Sequence, residues 1–311
     1  MAMGTTTVIE DGILVYQKSI GVAKLPKSKP DSNTQYRIGS ISKTYTSTVI
    51  LQMIEEGKIS LNTTIGRYFK DIPNANRITI EHLLYHRSGL FNLTEEDGFS
   101  KWIQKPRFRE DILAKIKNNG TNFDPGLKKE YANTNYILLS YIAEDVDNMA
   151  FEKVLQTRIF TPLRLERTNF GGQLNPSSNQ ALSYYRKGNV WERIPKETYL
   201  NATMGAGGIV STSKEVAFFY HSLFSGKLLT KESLKLMTTP KDEMGMGISV
   251  VSYNGLIIYG HDGGIDGYTS IAFYIPELKL ATCMTFNAST ENMTETAIQF
   301  LQNFMSSNTS R

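Results

Sequence analysis

Strand-like segments occur at both ends of the 311-residue chain, and this arrangement constrains the fold more than any other feature of the sequence. β-Branched and aromatic residues on both sides of Asp11-Gly12 predict an N-terminal hairpin, because Asp-Gly favours a tight two-residue turn. Near the other end, Asn254-Gly255 and Pro276-Glu277 separate further apolar runs, which predict roughly three more strands. We therefore expect one antiparallel sheet that is assembled from both termini.

The middle of the chain has the spacing of amphipathic helices. From Ser40 to Glu56, apolar residues recur four apart, and Gly57 follows as a helix stop. Four more segments have a helical pattern, beginning at Thr79, Asn133, Ser211 and Thr290. The predicted fold is α/β of the α+β type, an antiparallel sheet flanked by helices. The sheet subdomain covers approximately residues 5–39 and 205–305, and the inserted, mainly helical subdomain covers approximately residues 40–204.

Composition excludes several classes of protein. Apolar residues make up 40 % of the chain and charged residues 21 %, as in soluble globular proteins. The net charge of +4 is spread along the sequence, so we expect no nucleic-acid partner. No apolar run reaches the ~18–20 residues of a membrane span. Cys283 is the single cysteine, which excludes an internal disulfide.

The N-terminus and the histidines predict neither a signal peptide nor a metal site. A strand-like pattern begins almost at once, and we interpret Met1–Gly4 as a cloning remnant, with a native targeting segment missing. His82 and His86 are four residues apart and could share a metal on one helix face. No glutamate follows His82, so the zinc-protease pattern is absent, and we expect neither a metal nor a cofactor.

The tetrad Ser-x-x-Lys occurs twice, at Ser40–Lys43 and at Ser211–Lys214. Ser40 follows a glycine and is predicted to start a helix, where unpaired N–H groups and the helix dipole converge. Lys43, one turn later, could help to deprotonate the Ser40 hydroxyl. Ser211 also precedes a predicted helix, and we interpret it as a helix cap. The spacing alone does not distinguish the two tetrads.

Two other segments carry polar groups in unusual places. Tyr131 and Asn133 lie two residues apart just before a predicted helix, so in an extended segment both side chains point the same way. His261 ends an apolar strand, and Gly263 and Gly264 next to it allow a backbone or a ligand to approach closely. Each feature also has an ordinary structural explanation: ring packing, a helix cap and a strand-end histidine.

Taken together and in order, these segments resemble the serine β-lactamase and penicillin-binding-protein-like hydrolases, specifically the class C-like branch with esterases and D-aminopeptidases. The matching stretches are "YRIGSISKTYT", "ITIEHLLYHRSGL", "YANTNYILLSYI", "MGAGGIVSTSKEVAFF" and "GHDGGIDGYTS", which span nearly the whole chain. The resemblance implies the β-lactamase/transpeptidase-like fold, and in this context the Ser40 tetrad is the catalytic one.

The resemblance also implies a role for each site residue. Ser40 would be the acylated nucleophile and Lys43 its activating partner, while Tyr131 would exchange protons with Ser40, the leaving group and the deacylating water. Either Lys43 or Tyr131 could be the general base. Asn133 would bind substrate and hold Lys43. The backbone N–H groups of Ser40 and Gly264 would form the oxyanion hole.

One position departs from most members of the family. The third motif of β-lactamases begins with a lysine, at the place where a substrate carboxylate docks, whereas here it begins with His261. A histidine is largely neutral at pH 7, so anionic β-lactams lose a fixed charge partner. This change favours an esterase or a D-amino-acid peptidase over an antibiotic-hydrolysing enzyme.

The prediction is therefore a serine hydrolase that forms an acyl-enzyme on Ser40 and cleaves an ester or an amide in a small-molecule or peptide substrate. Acyl transfer by the same residues, and a penicillin-binding or sensor domain that acylates without turning over, are the alternatives. Family members are often exported, so we expect a periplasmic or extracellular location. The oligomeric state is left open.

Overall fold

The computed structural model describes residues 2–175, 177–290 and 292–308, and eleven strands occur within them. They are β1 (Met3–Glu10), β2 (Ile13–Ile20), β3 (Tyr36–Arg37), β4 (Asn169–Phe170), β5 (Tyr184–Lys187), β6 (Val190–Arg193), β7 (Ile209–Ser211), β8 (Ser249–Tyr253), β9 (Leu256–Ile265), β10 (Tyr268–Ile275) and β11 (Leu280–Ala288). Six of them form the main sheet, in the order β2-β1-β11-β10-β9-β8.

The α-helices lie mostly between the two groups of main-sheet strands. They are α1 (Ser42–Glu55), α2 (Ile80–Leu84), α3 (Phe99–Trp102), α4 (Arg109–Asn119), α5 (Asn133–Asp147), α6 (Phe151–Leu155), α7 (Ser213–Phe224), α8 (Lys231–Thr238) and α9 (Met293–Asn308). Two small sheets, β3-β7-β4 and β5-β6, also lie in this part of the chain. Within the described residues, no helix is long and apolar enough to cross a membrane.

The main sheet confirms the prediction of a sheet built from both termini. β1 pairs antiparallel with β2 on one side and with β11 on the other, so residues from the two ends of the chain are neighbours. The C-terminal part contributes four strands rather than roughly three, because both predicted turns join complete strand pairs. The α+β fold with an inserted helical region is confirmed as well.

Helices cover both faces of the main sheet. On one face, α7 packs against β1, β10 and β11, and the large core continues from there into α1 and α5. On the other face, α9 packs Ala297 and Leu301 against Phe273 and Met284 of the sheet. The amphipathic pattern near the C-terminus therefore reflects burial of its apolar side on the sheet.

Two details differ from the sequence predictions, while the interpretation of Met1–Gly4 as a cloning remnant stays a prediction. Met3 and Gly4 belong to β1, and a Cβ added at Gly4 would lie 2.1 Å from the Thr285 oxygen. A 3₁₀ turn, Gly39–Ile41, precedes α1, which begins at Ser42 rather than Ser40. Ser211 is not the cap of α7.

The residue after Ser211 caps that helix. The Thr212 side chain accepts a hydrogen bond of 3.1 Å from the Glu215 N–H, as N-cap residues do. The Ser211 hydroxyl instead lies 2.7 Å from the hydroxyl of Thr168, the residue just before β4, which pairs with β7. Ser211 is fully buried there and does not line the cavity that contains Ser40. The second tetrad is therefore a structural feature.

Candidate active site

Ser40, Lys43 and Tyr131 meet at one point. The 3₁₀ turn places Ser40 just ahead of α1, and Lys43 follows in the first turn of that helix, so both side chains leave the same helix end. The Nζ of Lys43 and the phenol oxygen of Tyr131 each lie 2.9 Å from the Ser40 Oγ. The structure thus brings together the three residues for which the family resemblance implies chemistry.

Lys43 is buried among uncharged oxygens. Its side chain is 0 % exposed, and Nζ lies 2.7 Å from Asn133 Oδ1 and 2.8 Å from the Ala206 carbonyl oxygen. Burial disfavours the charged form and holds the pKa of Lys43 well below its ordinary value, although the charge of Asp262 acts in the opposite direction. A neutral amine would donate its two N–H bonds to Asn133 and Ala206, and its lone pair would then face Ser40.

The pKa of Tyr131 is shifted in the opposite direction from that of Lys43. Burial of its phenol group raises the pKa of Tyr131 above its ordinary value, although the Ser40 hydrogen bond acts in the opposite direction. The phenol therefore keeps its proton at neutral pH and donates it to the Ser40 Oγ. One edge of the ring remains accessible, since the residue as a whole is 36 % exposed.

Asn133 begins α5 and connects Lys43 to a neighbouring loop. Its Oδ1 accepts from Lys43, and its Nδ2 donates to the Thr94 hydroxyl over 2.9 Å. Its own N–H donates to Asn92 Oδ1 over 2.9 Å. The side chain does not cap α5, because the residue before it occupies that position. Tyr131 and Asn133 do point into the same space, as their spacing predicted.

Gly263 and Gly264 let β9 pack directly against the Ser40 turn. A Cβ added at Gly263 would lie 2.2 Å from the Ile38 oxygen and 3.0 Å from the Ser40 nitrogen. Gly39, at φ +51°, packs closely against β9, since a Cβ added at Gly39 would lie 2.8 Å from the Gly264 nitrogen. An added Cβ at Gly264 would meet nothing, because this residue faces open space.

His261 is a neutral group beneath this site. It is 5 % exposed, and its Nδ1 lies 2.6 Å from the Asp262 carbonyl oxygen, so Nδ1 carries the proton and donates it. Burial is the main cause that lowers the pKa of His261 to about 4. Its Nε2 is buried without a hydrogen-bond partner in the described part of the protein. No fixed cation therefore occupies the first position of the third motif.

A cavity of about 500 Å³ opens in front of Ser40. Its wall combines polar and apolar residues. The lining residues include Ser40, Asn133 and Gly264, the apolar Phe99, Ile103, Ile137 and Ile194, and Lys196. Lys196 is the lining residue with a long cationic side chain, and among the described residues it forms no ion pair.

Some functional groups could not be recognised from sequence. The Ala206 carbonyl, which accepts from Lys43, is a backbone group, and only the neighbouring glycines indicate a close approach there. A Cβ added at Gly205 would lie 2.5 Å from the Thr46 hydroxyl of α1, which explains why the loop needs glycine. Thr94 and the apolar lining residues carry no local signal of their own.

His82 and His86 do not face a common metal position, because their ring nitrogens bind different parts of the main chain. His82 Nδ1 accepts from the Thr79 N–H at the start of α2, whereas His86 Nδ1 accepts from the Ala132 N–H near the site. Among residues 2–175, 177–290 and 292–308, no cluster of three histidine, cysteine or acidic side chains could hold a metal ion.

Known proteins share this sequence pattern and this fold. A penicillin-binding protein of Bacillus subtilis, PbpX, is 28 % identical over 271 residues, which cover 85 % of this chain and 65 % of PbpX. The chain thus spans a little under two thirds of that relative's length. Crystalline D-amino acid amidase from Ochrobactrum anthropi is 25 % identical, with a TM-score of 0.83 over 93 % of this chain and 87 % of the amidase.

A second solved structure has the same fold. The octameric penicillin-binding protein homologue from Pyrococcus abyssi is 25 % identical, with a TM-score of 0.86 over 98 % of this chain and 74 % of its own. The family model called Beta-lactamase matches residues 4–302. The resemblance inferred from the five ordered motifs is thereby confirmed, and the chain belongs to the β-lactamase family.

Proposed function

We propose that this protein is a serine hydrolase that forms an acyl-enzyme on Ser40 and cleaves esters or amides. One observation carries the proposal. The Lys43 Nζ and the Tyr131 phenol oxygen each lie 2.9 Å from the Ser40 Oγ, and burial favours the neutral amine of Lys43. Membership of the β-lactamase family and the likeness to a D-amino acid amidase support the same reaction class.

The pKa directions favour Lys43 as the base in acylation. A neutral Lys43 amine accepts the Ser40 proton while Oγ attacks the substrate carbonyl carbon. Tyr131 is poor as a base because its pKa is raised, but it is well placed to donate a proton to the leaving group. The Ser40 proton thus ends on the leaving group by way of Lys43 and Tyr131. In deacylation, water replaces the leaving group and the same transfers run in reverse.

The main-chain geometry of β9 suits a carbonyl substrate. Among the described residues, β8 pairs with β9 as far as Gly260, so no strand of the main sheet pairs with this edge of β9 at Gly264 and Ile265, which line the cavity. An extended amide or peptide could add to this edge through backbone hydrogen bonds. The Ser40 and Gly264 N–H groups are the proposed oxyanion hole, which would stabilise the negative charge of the tetrahedral intermediate.

We further propose that neutral esters and amides react faster than β-lactams. The support is His261, which is neutral where most β-lactamases of the family have a lysine, and whose pKa of about 4 keeps it uncharged across the physiological range. Export of the protein stays a prediction, which fractionation of the producing cells would test.

Intact-mass spectrometry tests the proposed function directly. The wild-type protein is exposed to activated esters, penicillins and D-amino-acid amides, and a fluorophosphonate serves as a general serine-directed probe. We expect one adduct per chain on Ser40 and none on Ser40→Ala. An adduct that persists in Ser40→Ala would overturn the assignment. Release of free acid separates hydrolysis from stalled acylation, and an added alcohol or amine acceptor reveals acyl transfer.

A further inference from the structure

His86 holds the main chain on both sides of Tyr131. Its carbonyl oxygen accepts from the Glu130 N–H over 2.9 Å, and its ring Nδ1 accepts from the Ala132 N–H over 3.1 Å. These two bonds involve the residues immediately before and after Tyr131. The position of the Tyr131 Cα is therefore set by one residue that belongs to a different segment, the loop after α2.

The His86 ring also contacts the Tyr131 ring. The two ring centroids are 4.4 Å apart and the planes are inclined by 29°, which is a stacked arrangement. His86 is 1 % exposed, so the ring cannot turn away into solvent. The Asn135 amide, 3.2 Å from the same Nδ1, fixes the ring orientation from the side of α5.

The protonation state of His86 suits this contact. Nδ1 accepts from a backbone N–H, so the proton of the neutral ring lies on Nε2. Burial holds the pKa of His86 well below its ordinary value. A neutral ring keeps its acceptor nitrogen and adds no charge beside Lys43. The backbone at His86 is left-handed, with φ +56°, a conformation that asparagine tolerates better than most side chains.

We propose that His86 is a positioning residue, which holds the Tyr131 phenol within hydrogen-bond distance of Ser40 by binding the chain on both sides of Tyr131 and stacking on its ring. This inference rests on the proposed role of Tyr131 in proton transfer. No hydrogen bond joins His86 to Ser40 in the described part of the protein, and we expect His86 to act through Tyr131. A loss of alignment by about 1 Å in such a group can slow a reaction by about a hundredfold.

Two substitutions at His86, with a control at His82, separate the contribution of the acceptor nitrogen from that of the ring. His86→Phe keeps a ring against Tyr131 but removes the acceptor for the Ala132 N–H, and we expect kcat to fall at least tenfold with little change in KM. His86→Asn keeps an acceptor close to the place of Nδ1, and it should retain kcat within about fivefold. His82→Gln, four residues earlier and away from the site, is the matched control and should retain the wild-type kcat.

A double-mutant cycle with Tyr131→Phe tests whether His86 acts through Tyr131. We expect the double variant His86→Phe/Tyr131→Phe to be no slower than Tyr131→Phe alone, because the phenol that His86 aligns is already absent. If the two losses multiply, or if folded His86→Phe keeps the wild-type kcat, the proposal is overturned. If His86→Phe does not fold, His86→Gln replaces it, since its longer side chain carries the acceptor past Ala132.

The cycle also separates this inference from the proposed function. If Tyr131→Phe alone keeps the wild-type kcat, the role of Tyr131 in the proposed function fails. If Tyr131→Phe is slow and His86→Phe is as fast as the wild type, only the role of His86 fails. Thermal unfolding of each variant, measured alongside, shows that the compared rates belong to folded protein.

Discussion

Lys43 approaches Ser40 with its Nζ 2.9 Å from Oγ, and the other hydrogen-bond partners of this nitrogen are the uncharged oxygens of Asn133 and Ala206. A lysine that is fully buried without a carboxylate beside it is stabilised as an amine more than as an ammonium ion. The amine form is the one that can remove a proton from serine. The activity of the proposed site should therefore depend mainly on whether Lys43 is neutral or protonated.

The pH dependence of hydrolysis should report that charge state. kcat/KM for a neutral ester is expected to rise with pH as Lys43 loses its proton, and to level off once the amine is neutral. Because burial lowers the pKa of Lys43, the midpoint should lie well below the ordinary lysine value of 10.5. A pH–rate profile between pH 5 and 10 measures it.

A substitution at the same position provides the check. Lys43→Arg should be inactive at every pH, because a guanidinium keeps its proton. Lys214→Arg in the second tetrad, which is exposed, should behave like the wild type. Activity in Lys43→Arg, or a midpoint near 10.5 in the wild type, would contradict a neutral Lys43.

The two serines that open a Ser-x-x-Lys tetrad should respond differently to alanine. Ser40→Ala is expected to abolish turnover while the protein stays folded. Ser211→Ala removes the buried hydroxyl contacts with the Thr168 hydroxyl and the Thr212 carbonyl oxygen, and should cost about 1–2 kcal/mol of unfolding free energy. Thr212→Ala, which removes the cap of α7, should cost a similar amount. Rates and urea unfolding curves of the three variants decide the matter, and similar residual activity in Ser40→Ala and Ser211→Ala would refute the assignment.

The substrate preference should follow from His261. A charge-assisted contact with a carboxylate is worth ~1.5–3 kcal/mol, or roughly ten- to a hundredfold in binding or rate. We expect kcat/KM for p-nitrophenyl butyrate to exceed that for nitrocefin, and His261→Lys to narrow the gap by raising the nitrocefin value.

Lys196 supplies the control for this comparison, because it lines the cavity in front of Ser40 and could hold a substrate carboxylate there. If the wild type prefers nitrocefin and Lys196→Ala removes the preference, the carboxylate is held by Lys196 and the argument from His261 is wrong. If neither change affects nitrocefin hydrolysis, charge at these positions does not determine the preference.

Acid should destabilise the fold through His261. Unfolded histidine titrates near 6.5, whereas the pKa of folded His261 is about 4, so the unfolded chain binds the proton first as the pH falls. The stability is complete above pH 6.5 and is lost as the pH falls towards 4, by up to about 3 kcal/mol. Unfolding free energies at several pH values measure the loss. His261→Asn, which keeps a donor for the Asp262 oxygen, should lose less than the wild type, and an equal loss in both proteins would exclude His261 as its source.

Chelators should leave hydrolysis unchanged. The proposed chemistry uses Ser40, Lys43 and Tyr131, and the histidines that were candidates for a shared metal make separate contacts with the main chain. Activity is measured before and after dialysis against EDTA. If EDTA removes the activity and zinc restores it, the chemistry of the site has been misassigned.

The sequence predicted those parts of the molecule whose signals are local. The hairpin at Asp11-Gly12, the paired C-terminal strands and the shared direction of Tyr131 and Asn133 follow from turn chemistry and from strand periodicity. The cap of α7 was assigned one residue early, because Ser211 and Thr212 are both capable hydroxyl residues and only the backbone conformation distinguishes them. The hydrogen bond from Lys43 to the Ala206 carbonyl oxygen, and the one from the Ala132 N–H to His86, join segments that are distant in sequence. No local sequence pattern predicts them.

The pairing of β1 with β11 has a consequence for synthesis on the ribosome. Ser40 and Lys43 are translated early, but Gly264 and the strands that hold it follow more than two hundred residues later. Contacts between such distant segments form late, because the intervening chain must first be ordered. We therefore expect a nascent chain to carry Ser40 without Gly264, its proposed oxyanion partner, until the C-terminal strands have left the exit tunnel.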